Sequence, residues 1–481
     1  MSSSSVNLAG ISGYDFSGIV EAMVTKYSTP LTRMTEKQTT LETKKNAWRD
    51  INTRLSALEN TLDKLRQSST WAATSAASSN TDILSAKSTA GTVKGSYNIK
   101  VTQLAAAQTA VSSIQTVEKS SSSTGVSAGT FRITSGEKTA VISVDAGDSL
   151  DEIAQAINNA KVGVNASVIK VDGGYRLALL SAQTGTENAA SFQEVSGTVL
   201  HTLGVLNGSN ALNVSQEAKD AKIVVNGISE ITSSSNTVTS AIPGMTLTLN
   251  EEAPATTVIV NVSADYSQAQ SAVQSFIDQY NSTMTFIEDK LKYVKDTKTK
   301  GDLFADPVLQ GIQSRLRGMV SGSMNNPTSP FKNLSEMGIT TSSDDFGKSA
   351  SLEFDTAKFT EALEKNADSV ANLFGAASGG VEPVTESSQT ESAQGLANIM
   401  KEYLHPMVMY QGTIDKTENN YDQQLTDLKK QIEDFNEKIA DYEERTRLRF
   451  SALETQLASL DSQSNWLTSQ INSMSKSDSK S

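Results

Sequence analysis

Chemistry needs nucleophilic, ionisable or metal-ligating side chains at working spacings, and this chain offers few. Among its 481 residues only His201 and His405 are histidines, and there is no cysteine. That removes disulfides, thiolate nucleophiles and cysteine-held zinc or iron–sulfur centres together. No HExxH pair, Gly-rich phosphate loop or GxSxG elbow occurs. Acidic neighbours exist, but Asp151–Glu152 opens a helix, where carboxylates serve the N-terminus, and Asp344–Asp345 reads as a turn. The run DAGDSLDE (145–152) lacks the ligand spacing and closing glutamate of a calcium loop. These absences point away from an enzyme, and no cofactor or metal is expected. Lys292, Lys295, Lys298 and Lys300 form a basic run, read first as a solvated turn and second as a docking patch for an acidic partner. Overall, 54 acidic against 41 basic residues leave a net charge of −13, which argues against nucleic acid or an anionic membrane surface. No stretch approaches the ~18 consecutive apolar residues of a membrane-spanning helix.

What the sequence carries instead is a seam. Tyr421, Leu425, Leu428, Ile432, Phe435, Ile439 and Tyr442 recur at alternating steps of four and three, the pattern that lays two helices together with knobs in holes. Near the other end, Met34, Leu41, Trp48, Leu55 and Leu62 fall every seven residues. Ile51, Leu58 and Leu65 fill the second position of each heptad. No glycine or proline interrupts 31–67, so a single helix is predicted, with Pro30 at its start. The expected pairing sets Trp48, Ile51, Leu55, Leu58, Leu62 and Leu65 against Ile432, Phe435, Ile439 and Tyr442, with Leu425 and Leu428 on the same seam. Beyond Tyr442 the apolar set Phe450, Leu453, Leu457 and Leu460 is one residue out of step, and EERTRLR (443–449) fills the gap with charge. Lys37 and Lys44 likewise interrupt the first helix, so both coils should loosen toward their ends. Upstream, Phe16, Ile19, Val20, Met23, Val24 and Tyr27 make a short amphipathic stripe. It reads either as an ordinary packed helix or as a leg that orders only in an assembly. The candidate leg residues are Phe16, Ile19, Met23 and Tyr27, with Leu453, Leu457 and Leu460. The first residues have no basic stretch followed by an apolar one, so no standard secretory signal is seen.

Between the seams the period falls to two. Tyr97, Ile99 and Val101 alternate with polar residues. A second unit then opens with GTFRITSG and AVISVDAG. In DSLDEIAQAINNA, Ser149 with Glu152 forms a capping box, and a hairpin turns at Asp172-Gly173-Gly174. Length alone suggests three or four domains, and 37% hydrophobic with 6% aromatic residues suits an elongated, multi-part protein. The predicted class is α+β multidomain. A discontinuous helical domain with a coiled coil is built from both chain ends, and two β-rich domains are inserted. The expected parts are a flexible leg (1–35), the N-terminal helix (36–75), a discontinuous β-rich domain (76–124 and 196–265) and an inserted β-α-β module (125–195). After these come a helical domain (266–395), coiled-coil helices (396–460) and a second flexible leg (461–481).

Several stretches together resemble the flagellar filament-capping family. PLTRMTEKQTTLETKKNAWRDINTRLSALENTLDKL is similar to its first helix, GSYNIKVTQLAAAQTAVS to its first β stretch, and the segment from DSLDEIAQ to AQTGTENA to the module shared with some flagellins. AKIVVNGISEITSSSNTVTSAIPGMTLTLNE resembles the return strands, with Asn236-Thr237 and Pro243-Gly244 in place. GDLFADPVLQGIQSRLRGMV, SLEFDTAKFTEALEKNADSVANLFG and the C-terminal heptads complete the order. ISGYDFSGIV and FGKSASLEFD depart locally from the family pattern. The resemblance implies a secreted structural part at the distal tip of the filament, a homo-oligomeric plate with helical legs that retains flagellin and promotes its polymerisation. It implies rings whose size differs between members, five copies being the commonest expectation. It further implies passage through the flagellar type III export apparatus with an export chaperone. Two alternatives stay open on the residues alone: an extracellular adhesin whose β domains touch a host glycan or mucin, and a dimeric coiled-coil protein unrelated to flagella.

Overall fold

The computed structural model of the chain describes residues 16–323, 330–342, 351–376 and 395–478, with side chains as far as residue 472. Asp344–Asp345 therefore lies outside the described residues. In chain order the helices are α1 (Ser17–Tyr27), α2 (Thr29–Arg66), α3 (Ser68–Trp71), α4 (Leu150–Asn159), α5 (Val199–Thr202), α6 (Ser267–Leu291), α7 (Pro307–Ser321), α8 (Thr356–Phe374), α9 (Leu396–Val408) and α10 (Thr413–Asp478). Two compact units result. One takes the described parts of 16–66, 271–376 and 395–478, and the other takes 67–270.

The unit of 67–270 holds two β cores. In the first, five antiparallel strands lie in the order Thr74–Ser78, Val258–Ala264, Gly95–Gln103, Ala221–Val225, Ser229–Ser233. Period-two alternation buries Ile99, Val101, Val258, Val260 and Val262, while Asn98 and Lys100 stay outside the core. A second sheet (Thr237–Val238, Met245–Leu249, Leu84–Ser88) adds Leu84, Met245, Leu247 and Leu249 to the same core. The Asn236 amide accepts from Ala105 N at 2.7 Å and donates to Ala105 O at 2.9 Å, so one side chain replaces a missing ladder rung. Gly244 holds φ +78°, and a Cβ there would come within 2.6 Å of Thr92 Oγ1.

The second core is built around α4. Its capping box is complete: Glu152 Oε2 accepts from Ser149 N and Oγ at 2.8 and 2.7 Å. These bonds hold the Glu152 carboxyl below its usual range. Leu150, Ile153 and Ile157 pack against Phe131, Ile133, Leu177 and Leu179. The expected module of 125–195 is too narrow. Strands Thr109–Val111 and Val214–Gln216 join Gly174–Ser181 and Val164–Val171 in one four-stranded sheet. Ala110, Val199, Leu200, Leu203 and Val205 belong to this core as well. Edge pairing drew in the flanking segments, because Gly174–Ser181 would otherwise leave a row of backbone donors and acceptors unpaired.

In the other unit, α2 presents Trp48, Ile51, Leu55, Leu58, Leu62 and Leu65 inward, each at most 1% exposed. α6 contributes Val273, Phe276, Ile277, Tyr280, Met284 and Ile287, and α9 contributes Leu396, Ala397, Met400 and Leu404. α7 and α8 begin on aspartate caps. Asp306 Oδ1 accepts from Val308 N and Leu309 N, and Asp355 Oδ1 from Ala357 N and Lys358 N, all at 3.0–3.1 Å. The expected legs differ in one respect: residues 17–27 and 29–35 are helical, and α10 continues without a break from Thr413 to Asp478. With no glycine or proline in that span, nothing interrupts the helical hydrogen-bond ladder.

Candidate functional site: a two-helix leg

The histidines are occupied locally. His405 Nδ1 lies 2.8 Å from Glu59 Oε1, and His201 Nδ1 lies 3.4 Å from Glu194 Oε1. Glu194 Oε1 also accepts from Leu200 N at 2.6 Å, so it caps α5. Asp148 Oδ2 accepts from Asp145 N at 2.8 Å, closing a turn. Among the described residues no group of three or more His, Asp or Glu is placed to hold a metal ion. Glu194 and Asp148 thus serve a helix start and a turn, and Glu59 with His405 bridges two helices.

The seams meet in an antiparallel coil. Lys45 pairs with Asp422. Leu41 packs with Leu425 and Leu428, joined by Met34, Tyr421 and Ile432. Further down, Tyr27 stacks on Tyr442 with centroids 4.2 Å apart and on Phe435 at 5.8 Å. Finally, Phe16 meets Phe450 at 5.6 Å. Each step along α10 toward its C-terminus is matched by a step along α2 and α1 toward the N-terminus.

This register corrects the expected pairing. Ile432, Phe435 and Tyr442 lie along the first third of α2 and along α1, not opposite Trp48–Leu65. Ile439 is half-buried in the same stretch of α10. The partner of the second half of α2 is α9, held by a polar ladder. Glu59 bonds His405, Asp63 pairs with Lys401, and Arg66 Nε donates to Asn398 Oδ1 at 2.6 Å. The cause is the turn Met409–Gly412, which divides the C-terminal helical segment in two. Gln411 holds φ +60°, and a Cβ on Gly412 would meet the carbonyl oxygens of Pro406, Met407 and Met409 within 2.8 Å. Pro406 and Gly412 were the sequence signals for this break.

α1 turns Phe16, Val20, Val24 and Tyr27 toward the coil, and Val20 is buried. Ile19 and Met23 face outward. On α10, Leu457 is half-buried, whereas Leu453 and Leu460 are exposed. Leu448, Trp466, Leu467 and Ile471 are exposed too, and none of these four was among the expected leg residues. The seam positions between hold buried polar side chains, Thr446 and Glu454. The leg is thus a narrow coil, apolar inside at Tyr27–Tyr442, mixed further down where Thr446 and Glu454 sit among Val20, Phe16 and Phe450, and studded outside with uncovered apolar groups.

Comparison with known proteins places this architecture. A family model described as the flagellar hook-associated protein 2 C-terminus matches residues 218–462, and the model for its N-terminus matches 12–108. The flagellin hook IN motif matches 130–183. The flagellar hook-associated protein 2 of Escherichia coli K12 is 31% identical over 384 residues, covering 77% of this chain and 80% of that protein. The chain belongs to the flagellar hook-associated protein 2 family. The B-type flagellar hook-associated protein 2 of Pseudomonas aeruginosa PAO1 is 27% identical over 444 residues, covering 87% of this chain and 89% of that protein. The crystal structure of the D1-D2-D3 domains of the flagellar cap protein FliD from Escherichia coli matches with a TM-score of 0.64 at 29% identity. It covers 78% of this chain and 99% of that chain. The function of this family member is that of a flagellar filament cap, acting at the distal tip of the filament. Among the described residues no helix is long and apolar enough to cross a membrane.

Proposed function

We propose that the coil of α1, the first part of α2 and α10 is a working leg. Several copies form a plate, and their legs engage flagellin at the filament tip, holding it there and promoting its polymerisation. The observation that carries the reading is the uncovered apolar series on both helices, with Trp466 at 64% and Leu460 at 58% exposure. Such groups on a two-helix coil cost solubility unless an assembly covers them. A coil is also suited to rearrangement, since few side chains per turn hold it and Thr446 and Glu454 replace apolar layers in its seam. The rest of the proposal is that the chain leaves through the flagellar type III export apparatus with the help of a chaperone, and acts structurally rather than as a catalyst. The dimeric coiled-coil alternative loses support, because the apolar face of Trp48–Leu65 is already covered within one chain.

The test is complementation of a strain lacking the protein with Leu460→Gln/Trp466→Gln/Ile471→Gln. All three side chains are exposed, so folding should be unaffected. Motility loss with flagellin spilled into the medium is expected. Normal filaments from this variant would refute the leg assignment.

A further inference from the structure

The basic run of the sequence is an exposed turn carried on a short hairpin. Tyr293–Val294 and Thr299–Lys300 pair as an antiparallel hairpin at the end of α6, with Lys298 at φ +55° in the loop. Its base is fixed closely. Gly301 N donates to Lys292 O at 3.0 Å, Leu303 N to Lys290 O at 3.1 Å, and Lys290 Nζ to Asp302 Oδ2 at 2.6 Å. A Cβ on Gly301 would sit 2.3 Å from Lys290 O, so only glycine allows this approach. On the fixed hairpin, Tyr293 and Phe304 meet at 5.6 Å between centroids and both remain exposed. Lys300 Nζ lies 5.1 Å from the centre of the Phe304 ring. Lys292 pairs with Asp289, but Lys295 and Lys298 have no ion-pair partner among the described residues.

We propose that this hairpin is a docking element for the carboxylate-rich surface of a second copy of the chain. Copies with a net charge of −13 repel one another, and a local patch of opposite sign that meets acidic surface on its neighbour offsets that repulsion where they touch. Lys292 being paired with Asp289, the hairpin supplies Lys295, Lys298 and Lys300 against Asp296, on a backbone already ordered, with the Tyr293–Phe304 pair at its base. Contact of unlike patches is head-to-tail, the kind that closes into rings. The inference rests on the reading that copies form a plate.

The experiment is sedimentation of the full chain and of Lys295→Glu/Lys298→Glu at about 0.05 and about 0.3 M salt. It is paired with carbodiimide coupling of an equal mixture of isotopically light and heavy chains. Wild-type self-association should weaken with salt, and the variant should associate at least about tenfold more weakly at low salt with an unchanged melt. Light–heavy cross-links should join Lys295 or Lys298 to Asp or Glu. Should the double variant fail to fold, Lys295→Ala/Lys298→Ala serves in its place. Undiminished association of the variant overturns the hairpin's role while leaving the plate intact. A monomeric wild type at about 100 μM overturns both, since it would imply only millimolar-range association. Unchanged self-association with lost binding of purified flagellin also overturns the proposal, and would reassign the patch.

Discussion

At the scale of single residues, burial and satisfied polar groups decide what a substitution does. Leu55 is fully buried, and Leu55→Ala should cost about 3 kcal/mol in the helical unit, measured by denaturant unfolding. Ile432 is only half-buried at the edge of the Leu41–Leu425–Leu428 cluster, so Ile432→Asp should cost about 1–2 kcal/mol. A larger loss at Ile432 than at Leu55 would contradict the register described above. Tyr280 is fully buried, and its hydroxyl has no hydrogen-bond partner among the described residues. Burial pushes its ionisation far above the usual tyrosine range, so the hydroxyl stays neutral. Tyr280→Phe removes an unsatisfied group and should leave stability unchanged or raise it by up to about 1 kcal/mol. Asp220 gives a pH signature. Hydrogen bonds from Thr186 Oγ1 and N, each 2.7 Å, hold its carboxyl below the ordinary range. A depressed carboxyl contributes stability that is present above the unfolded value and lost as pH falls through the folded one. Asp220→Asn should therefore flatten the fall in melting temperature as the pH drops below about 5. An identical fall in both proteins would show that this contact contributes nothing.

At the scale of elements, the coil divides into a firm upper part and a yielding lower one. Leu41, Leu425 and Leu428 are buried, and below the Tyr27–Tyr442 stack the apolar contacts of Val20 and Phe16–Phe450 are interrupted by the polar Thr446 and Glu454. Tyr27→Ala should speed amide exchange across α1 and about residues 435–450 by roughly tenfold, with protection of Trp48–Leu65 unchanged. Uniform loosening of the whole unit would mean the stack is not a local clasp. The α9–α10 turn makes a second test. Gly412→Val has no room for its side chain, so it should unlatch α10 while the β-rich unit melts as before.

At the scale of the whole molecule, two units with separate cores predict separable failures. Removing 1–30 and 462–481 takes away the outer leg and none of the β cores, whose residues lie between Ile83 and Val262. The trimmed protein should keep its β-rich unit and lose capping, read as flagellin release by a complemented strain. Filament growth by the trimmed protein would show that the outer leg is dispensable. The two histidines each lie beside a glutamate, one of them in the ladder that joins α2 to α9.

Local patterns in the sequence determined which segments are helix and strand, because periods of seven, 3.6 and two report which face each element must bury. The Ser149–Glu152 box, the alternation around Ile99 and the heptads of α2 and α10 could all be read from spacing alone. The register between the chain ends could not, since any antiparallel alignment of two such seams buries leucines equally well. That choice fell to the Met409–Gly412 turn, the Glu59–His405 and Lys45–Asp422 pairs and the Tyr27 stack, which join residues hundreds of positions apart. The reach of the α4 module to Thr109–Val111 and Val214–Gln216 was equally a tertiary decision, because a strand edge takes whichever backbone the fold delivers to it.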